Sequence, residues 1–369
     1  MAADAIRKIT VRGFKSIASL ELQPSPINII IGANGSGKSN VLEVFRLLRT
    51  ARCSKLNDYV RAAGGAERLL HFGSEVTERI EIDLDFNFTG DLAPTGYELT
   101  LKPTADDELF AAAESISLAY SSGPISLAEW QKKGETGIGN EDSEVLTQWV
   151  RRVLDSWRVY HFANVAPLRR MAPSHENRFL LLPDGDNLAG VLYRLPVAGF
   201  EDSYRQIVRA VQQVAPFFGN FEFPERQESE PQFIQLQWRH KNSDQYFGAS
   251  SLSDGTLRFI ALATLLLQPD NRQSVILIDE PELGLHPLAI ELLAAMIKQA
   301  ATHTQLIIAT QSPLLLDYFD PKDVLVADLV DGGTQLRRLD SADLAKWLED
   351  YSLGQLWEKN EFGGRPVPA

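Results

Sequence analysis

With 369 residues, 44% of them hydrophobic, the chain has material for one large domain or two to three ordinary ones and for an ample buried core. A formal net charge of −13 argues against a general nucleic-acid coat, so any phosphate contact must be local, and the single cysteine, Cys53, excludes an internal disulfide and a thiolate metal site. The longest nearly apolar run, 259–267, falls far short of the ~20 residues that span a bilayer, and Asp4, Arg7 and Lys8 stand where a signal would be apolar, so a cytoplasmic protein with no membrane partner is expected.

In chain order, 6–11 reads as a first strand, followed by Gly13-Phe14-Lys15-Ser16-Ile17 and a short strand at 20–22. Residues 27–31, Ile-Asn-Ile-Ile-Ile, read as a buried strand, and 38–48 as an amphipathic helix with Val41, Leu42, Phe45 and Leu48 on one side. Between them Gly32-Ala33-Asn34-Gly35-Ser36-Gly37-Lys38-Ser39 matches the P-loop pattern G-x-x-x-x-G-K-[S/T] at every fixed position. Strand, glycine loop and helix together imply a nucleoside triphosphate site. Backbone N–H groups of Asn34, Gly35, Ser36 and Gly37, with Asn40 close behind, line the phosphates; Lys38 reaches the β and γ phosphates, and the Ser39 hydroxyl ligates Mg2+.

Residues 80–88 alternate apolar and polar without a fault, which predicts a half-exposed antiparallel strand, and 97–101 and 116–120 repeat the pattern. From 141 to 218 the reading shifts to helices, including 144–157 and 201–214, around an irregular stretch at 166–186, with no heptad repeat. Strands are expected at 233–239 and 246–249, then an apolar helix at 256–267 behind Leu252-Ser253-Asp254-Gly255-Thr256. The fully apolar run Val275-Ile276-Leu277-Ile278 ends in Asp279-Glu280, the mark of a buried parallel strand with carboxylates at its ligand-binding end. A helix at 287–301, a buried strand at 306–309 ending in Thr310-Gln311-Ser312-Pro313, and a hairpin at 324–339 around Asp331-Gly332-Gly333 complete the reading.

Three of these segments narrow the class. Asp279 is placed to hold magnesium and Glu280 to polarise an attacking water. The helix start at Ser253 and Gly255 offers a hydroxyl and N–H groups to a γ-phosphate, although a serine there also serves as a plain cap. Gln311 ends the neighbouring strand, where it can sense that phosphate.

In the order and type of these motifs the chain resembles the ATP-binding-cassette (ABC) ATPases, and within them the SMC/RecF-like branch of the AAA family. The run Asp279-Glu280-Pro281-Glu282-Leu283-Gly284-Leu285-His286-Pro287 and the ending Ala309-Thr310-Gln311-Ser312-Pro313 are similar to stand-alone ATPases related to the overcoming-lysogenization-defect (OLD) proteins. The resemblance implies an α/β P-loop core with an antiparallel β subdomain and a helical insertion, divided at 1–135, 136–225 and 226–369. It also implies a homodimer formed through ATP, in which Ser253 and Gly255 of one chain complete the P-loop site of the other. Glu280, Lys38 and Gln311 would be catalytic, with Ser39 and Asp279 on Mg2+. Two departures stand out: Gln311 occupies the place of the switch histidine, and the Q-loop glutamine is absent or displaced, with His71 as its candidate stand-in.

Asp254 puts a carboxylate beside the expected γ-phosphate and is read as a helix N-cap turned away from it. His286 is open between interface packing and function. The pairs Arg151-Arg152, Arg169-Arg170 and Arg337-Arg338 fit either solvated surface or phosphate contact. No acidic metal cluster of the Toprim nuclease kind follows Gly364, so a partner nuclease or effector is expected. The implied function is an ATP-dependent switch in DNA repair or anti-phage defence; the alternative is an ATP-gated regulator of a protein partner that never touches nucleic acid.

Overall fold

Strands β1 (Ile6–Phe14) and β2 (Ile17–Leu22) form an antiparallel hairpin with Phe14 opposite Ile17, so only Lys15 and Ser16 are left to turn, and Lys15 takes φ 49° to do it. The computed structural model describes residues 5–87, 94–118, 125–126, 135–139, 145–173, 180–223, 233–269 and 273–364. β3 (Ile27–Ile31) follows, then α1 (Lys38–Arg52) and the short α2 (Leu56–Ala63). α1 runs four residues beyond the expected helix because Arg49 and Arg52 suit its last turn while Ala51 continues the buried stripe. In β4 (Ile80–Phe86), Ile80, Ile82, Leu84 and Phe86 are buried while Glu81, Asp83 and Asp85 stay half-exposed, as the alternation requires. With β5 (Pro94–Pro103), β6 (Leu109–Leu118) and β7 (Ile125–Ser126) these strands make a six-stranded antiparallel sheet in the order β2-β1-β4-β5-β6-β7. The final residues expected for the strand at 116–120 lie outside the described ones. α3 (Val145–Ser156) and β8 (Arg158–Tyr160) come next, and the Trp157 ring meets Phe45 of α1 edge-on at 5.2 Å.

The chain divides into two units, one formed by 1–159, 272–279 and 302–369, the other by 160–271 and 280–301. In the second unit β9 (Ala172–Pro173), α4 (Leu188–Val197), α5 (Glu201–Val214), β10 (Phe218–Glu222), β11 (Phe233–Ile234), β12 (Gln237–His240) and β13 (Tyr246–Gly248) precede the apolar helix α6 (Asp254–Leu266). The single strand expected at 233–239 is two strands. Ile234, Leu236 and Trp238 remain buried in strict alternation, yet β11 pairs with β9 whereas β12 pairs with β10 and β13. Side-chain period fixes the buried face; the partner decides where a strand ends. Nine of the thirteen α6 residues are buried, so this helix forms the apolar centre of its unit.

The chain then re-enters the first unit as β14 (Val275–Asp279), crosses the second as α7 (Pro287–Ala300), and returns as β15 (Gln305–Thr310), α8 (Pro313–Leu316), β16 (Val324–Val330), β17 (Gly333–Arg338), α9 (Ser341–Leu344) and α10 (Leu353–Glu358). The central sheet runs β17-β16-β3-β15-β14-β8, with β16, β3, β15 and β14 mutually parallel and β17 antiparallel at one edge. All six residues of β15 are buried, which is why its sequence is apolar without alternation. Its one long polar side chain, Gln305, is satisfied by the N–H and carbonyl of Ile6 and the carbonyl of Pro24. Among the described residues the longest helix is α1, and none is long and apolar enough to cross a membrane.

Candidate functional site

The registers of the parallel strands place the candidate residues at one edge of the central sheet. Thr310 lies opposite Ile31, and Asp279 opposite Ala309, so the P-loop after β3, Gln311 after β15 and Asp279 at the end of β14 all leave the sheet at its C-terminal edge. In parallel α/β sheets ligands bind at that edge, because the crossover loops converge there.

Within the P-loop, Asn34, Gly35 and Ser39 are exposed, whereas Ser36 and Lys38 are buried. Lys38 Nζ donates to the carbonyls of Gly32 at 2.6 Å and Ala33 at 2.8 Å, so the ammonium lies back across the loop. α1 begins at Gly37, φ 94°, with no side-chain cap and no acidic residue in its first turn. Its first N–H groups and positive dipole end therefore lack the side-chain acceptor that caps most helices, which suits an anion. Loop, ammonium and uncapped helix fit a nucleotide's phosphates. The exposed Ser39 hydroxyl and the half-buried Asp279 are hard oxygen donors. Among the described residues no group of three His, Cys, Asp or Glu could hold a metal by itself, and Mg2+ needs none, since it shares its shell with phosphate and water.

Glu280 follows Asp279 in the left-handed region at φ 47°, a conformation costing a non-glycine residue of order 1 kcal/mol. The chain also passes from the first unit to the second at this peptide. Such a kink turns a side chain out of the strand's alternation.

In the second unit Ser253 is exposed and caps α6: its Oγ accepts from Thr256 N–H at 3.2 Å and lies 2.9 Å from Thr256 Oγ1. Asp254 is not the cap. It is the first helical residue, so α6 starts two residues before the expected Thr256, and Asp254 is paired with Arg169 at 2.7 Å, which neutralises the carboxylate. Gly255 abuts the turn after β14: a Cβ there would stand 2.5 Å from the Gly284 carbonyl oxygen, so only glycine allows the approach. His286 is the cap of α7, its Nδ1 accepting from Leu288 N–H at 3.4 Å.

Most of the arginine pairs are engaged internally. Arg151 is buried on the Ile138 carbonyl, Arg169 pairs with Asp254, Arg170 with Asp186, Arg337 donates to the Phe362 carbonyl, and Arg338 bonds Asn28, Lys322, Gln23 and Ser25. Burial lowers the Arg338 pKa below the ordinary arginine value, against the pull of Asp323. Of the six, Arg152 alone is exposed with no internal bond among the described residues. A separate cleft of about 350 Å³ in the second unit is lined by Gln212, Arg239, His240, Lys241 and Asp244 among others, but Arg239 is held by Glu222 at 3.4 Å, so the cleft carries both signs of charge. His71, the candidate stand-in for the Q-loop residue, is buried with Nδ1 donating to the Lys15 carbonyl at 2.7 Å. Two residues that were not site candidates, Ser16 and Thr334, fill the space where a Cβ on Gly37 of the P-loop would stand. Ser16 falls in the Gly13-to-Ile17 segment; nothing in the sequence marks Thr334.

Three comparisons with known proteins agree with this geometry. A 61-residue stretch is 44% identical to the DNA replication and repair protein RecF of Pseudomonas putida (strain GB-1), covering 15% of this chain and 17% of that protein, so the chain matches about a sixth of the relative's length. Among solved structures, an Smc head bound to the C-terminal winged-helix domain of ScpA superposes with a TM-score of 0.64 at 18% identity, over 93% of this chain and 99% of that one. The Smc head with an extended coiled coil from Pyrococcus furiosus, bound to the C-terminal domain of ScpA, gives 0.61 at 15%, over 94% and 99%. At these identities the likeness concerns the fold, an SMC-head-type α/β P-loop core. The family described as "AAA domain, putative AbiEii toxin, Type IV TA system" matches residues 27–317, more than half of the chain, and the protein belongs to that family of SMC/RecF-like, ABC-type ATPases.

Proposed function

We propose that the protein binds and hydrolyses ATP as a head-to-tail homodimer and uses that cycle as a switch in a DNA-associated process. The observation that carries the reading is the convergence of the P-loop, Asp279 and Gln311 at one sheet edge, with Glu280 next in the chain. In the proposed reaction a water attacks the γ-phosphorus, the bond to the β–γ bridging oxygen breaks, and ADP and phosphate leave while Glu280 takes the water's proton. Lys38 leaves the Gly32 and Ala33 carbonyls for the β and γ phosphate oxygens, and Gln311 donates to the γ-phosphate. Magnesium bound with the nucleotide would be held by Ser39 and Asp279 and would offset phosphate charge. Ser253 and Gly255 of the partner subunit complete each site.

The DNA association rests on the 61-residue match to RecF, a DNA replication and repair protein, and on the fold shared with Smc heads. A specific observation favours the rival, regulation of a protein partner: arginines that were candidates for phosphate contact are spent on internal bonds, in a chain of net charge −13. The Glu280→Gln variant separates the parts of the proposal. It should bind ATP, lose about 100-fold or more in turnover, and sediment as a closed dimer with ATP and not with ADP. Full turnover by this variant removes Glu280 from its role. Fluorescence anisotropy of the same trapped dimer on mixed-sequence DNA, from low to physiological salt, then decides the partner; no binding at any salt favours the protein regulator.

A further inference from the structure

On the nucleotide-binding reading of the P-loop, we propose that Asn40, Ser16 and Thr334 form a strut that fixes the Ser36–Gly37 peptide and aims the Gly37 N–H at the bound phosphates. The three residues come from the first turn of α1, the β1–β2 turn and the start of β17. Asn40 Nδ2 donates to Ser16 Oγ at 2.7 Å, Ser16 Oγ and Thr334 Oγ1 are 2.6 Å apart, and Thr334 Oγ1 donates to the Ser36 carbonyl at 3.1 Å across 298 positions of sequence. The Thr334 N–H donates to the Ser16 carbonyl at 2.7 Å, which locks the hairpin to the turn.

The protons assign the direction of the chain. Each hydroxyl has a single hydrogen. The Ser36 carbonyl can only accept, so Thr334 gives it its proton; the Ser16 hydroxyl must then donate to Thr334 and accept from the Asn40 amide. Every donor points the same way, from Asn40 through Ser16 and Thr334 to the P-loop carbonyl, an arrangement in which hydrogen bonds reinforce one another. Thr334 is 1% exposed, so no solvent could replace these partners without cost.

Peptide planarity converts this into function. In a trans peptide the C=O and N–H vectors oppose each other within one plane, so a Ser36 carbonyl held toward Thr334 turns the Gly37 N–H to the opposite side of the C–N bond. The same two hydroxyls occupy the space where a Cβ on Gly37 would sit, at φ 94°, which is why the wall and the glycine require each other. The Asn40 amide Nδ2 is then a brace for the loop.

Calorimetry with Mg·ADP and Mg·ATP on the full chain, together with steady-state kinetics, tests the strut. Thr334→Val keeps the side-chain shape and removes the hydroxyl; both nucleotides should bind about tenfold more weakly and KM should rise in step, with kcat within about twofold, because the N–H serves ground and transition states alike. Thr334→Ser should restore affinity to within about threefold. Ser16→Ala should weaken binding similarly, and Ser16→Ala/Thr334→Val should be no worse than the poorer single variant, since one chain is broken once. Wild-type affinity in Thr334→Val overturns the proposal, as do equal losses in the Ser and Val variants or fully additive losses in the double. If Thr334→Val does not fold, Ser16→Ala, at a half-buried turn, carries the same expectation and the same power to refute. A wild-type chain that binds neither nucleotide would instead refute the nucleotide reading itself.

Discussion

Around Gly37 the polar contacts run inward, to Ser16, Thr334 and the body of the first unit, and Lys38 lies across the loop on two carbonyls. Around Ser253 they are local: an exposed hydroxyl, a cap bond three residues away, and an ion pair between Asp254 and Arg169 on the surface. The P-loop is thus tied to its own unit by side chains distant in sequence. The segment around Ser253 has a settled backbone and an exposed face, and its proposed use requires a second copy of the chain. On the proposed dimer reading, a braced P-loop and an exposed Ser253 segment suit two identical subunits that each close on the other.

The largest expected effect breaks the first half of that contrast. Lys38→Ala removes the only P-loop ammonium, and ATP affinity measured by calorimetry should fall by about 100-fold or more; near-normal binding would mean that the loop does not bind phosphate through this residue. Ser253→Arg attacks the other half. It should cut turnover by about 100-fold while leaving ATP affinity within about twofold, and mixing it with Lys38→Ala should restore roughly a quarter of wild-type turnover, because half of the dimers are mixed and each has one intact composite site. A mixture as inactive as its components would sink the trans arrangement.

Gly255→Ala sharpens the comparison at the level of backbone. Its Cβ would meet the Gly284 carbonyl oxygen at 2.5 Å, so the variant should lose about 1–3 kcal/mol of stability, seen as a lower denaturant midpoint, before any effect on nucleotide. The smallest effect is a control remote from both ends. On β4 the Asp83 carboxyl is pushed above the usual carboxylate pKa, first by burial and then by repulsion from Glu98, against the pull of Arg12. The folded chain then holds this proton to higher pH than the unfolded chain does, so stability falls as pH rises from the ordinary carboxylate value through the raised one, and the penalty persists at neutral pH. Asp83→Asn should raise Tm by about 1 °C at pH 7, a gain that shrinks as pH falls through and below the ordinary carboxylate value, where both states become protonated.

By itself the sequence determined those features whose physics is local. The apolar runs at β3, β14 and β15 and the alternation in β4 reveal how many faces of each strand are covered, and the glycines and lysine of the P-loop announce phosphate because few other uses need them at that spacing. The helix ends were less legible: α6 begins at Asp254 because Ser253 wins the cap, a choice between two adjacent capping residues that composition leaves open. Tertiary structure alone decided the rest. It split 233–239 between two sheets, tied five of the six paired arginines to carbonyl, amide and carboxylate oxygens elsewhere in the chain, and brought Thr334 against Gly37. These contacts join positions tens to hundreds of residues apart. A side chain's own chemistry states what it can bond, and only the packed chain states which partner comes within reach.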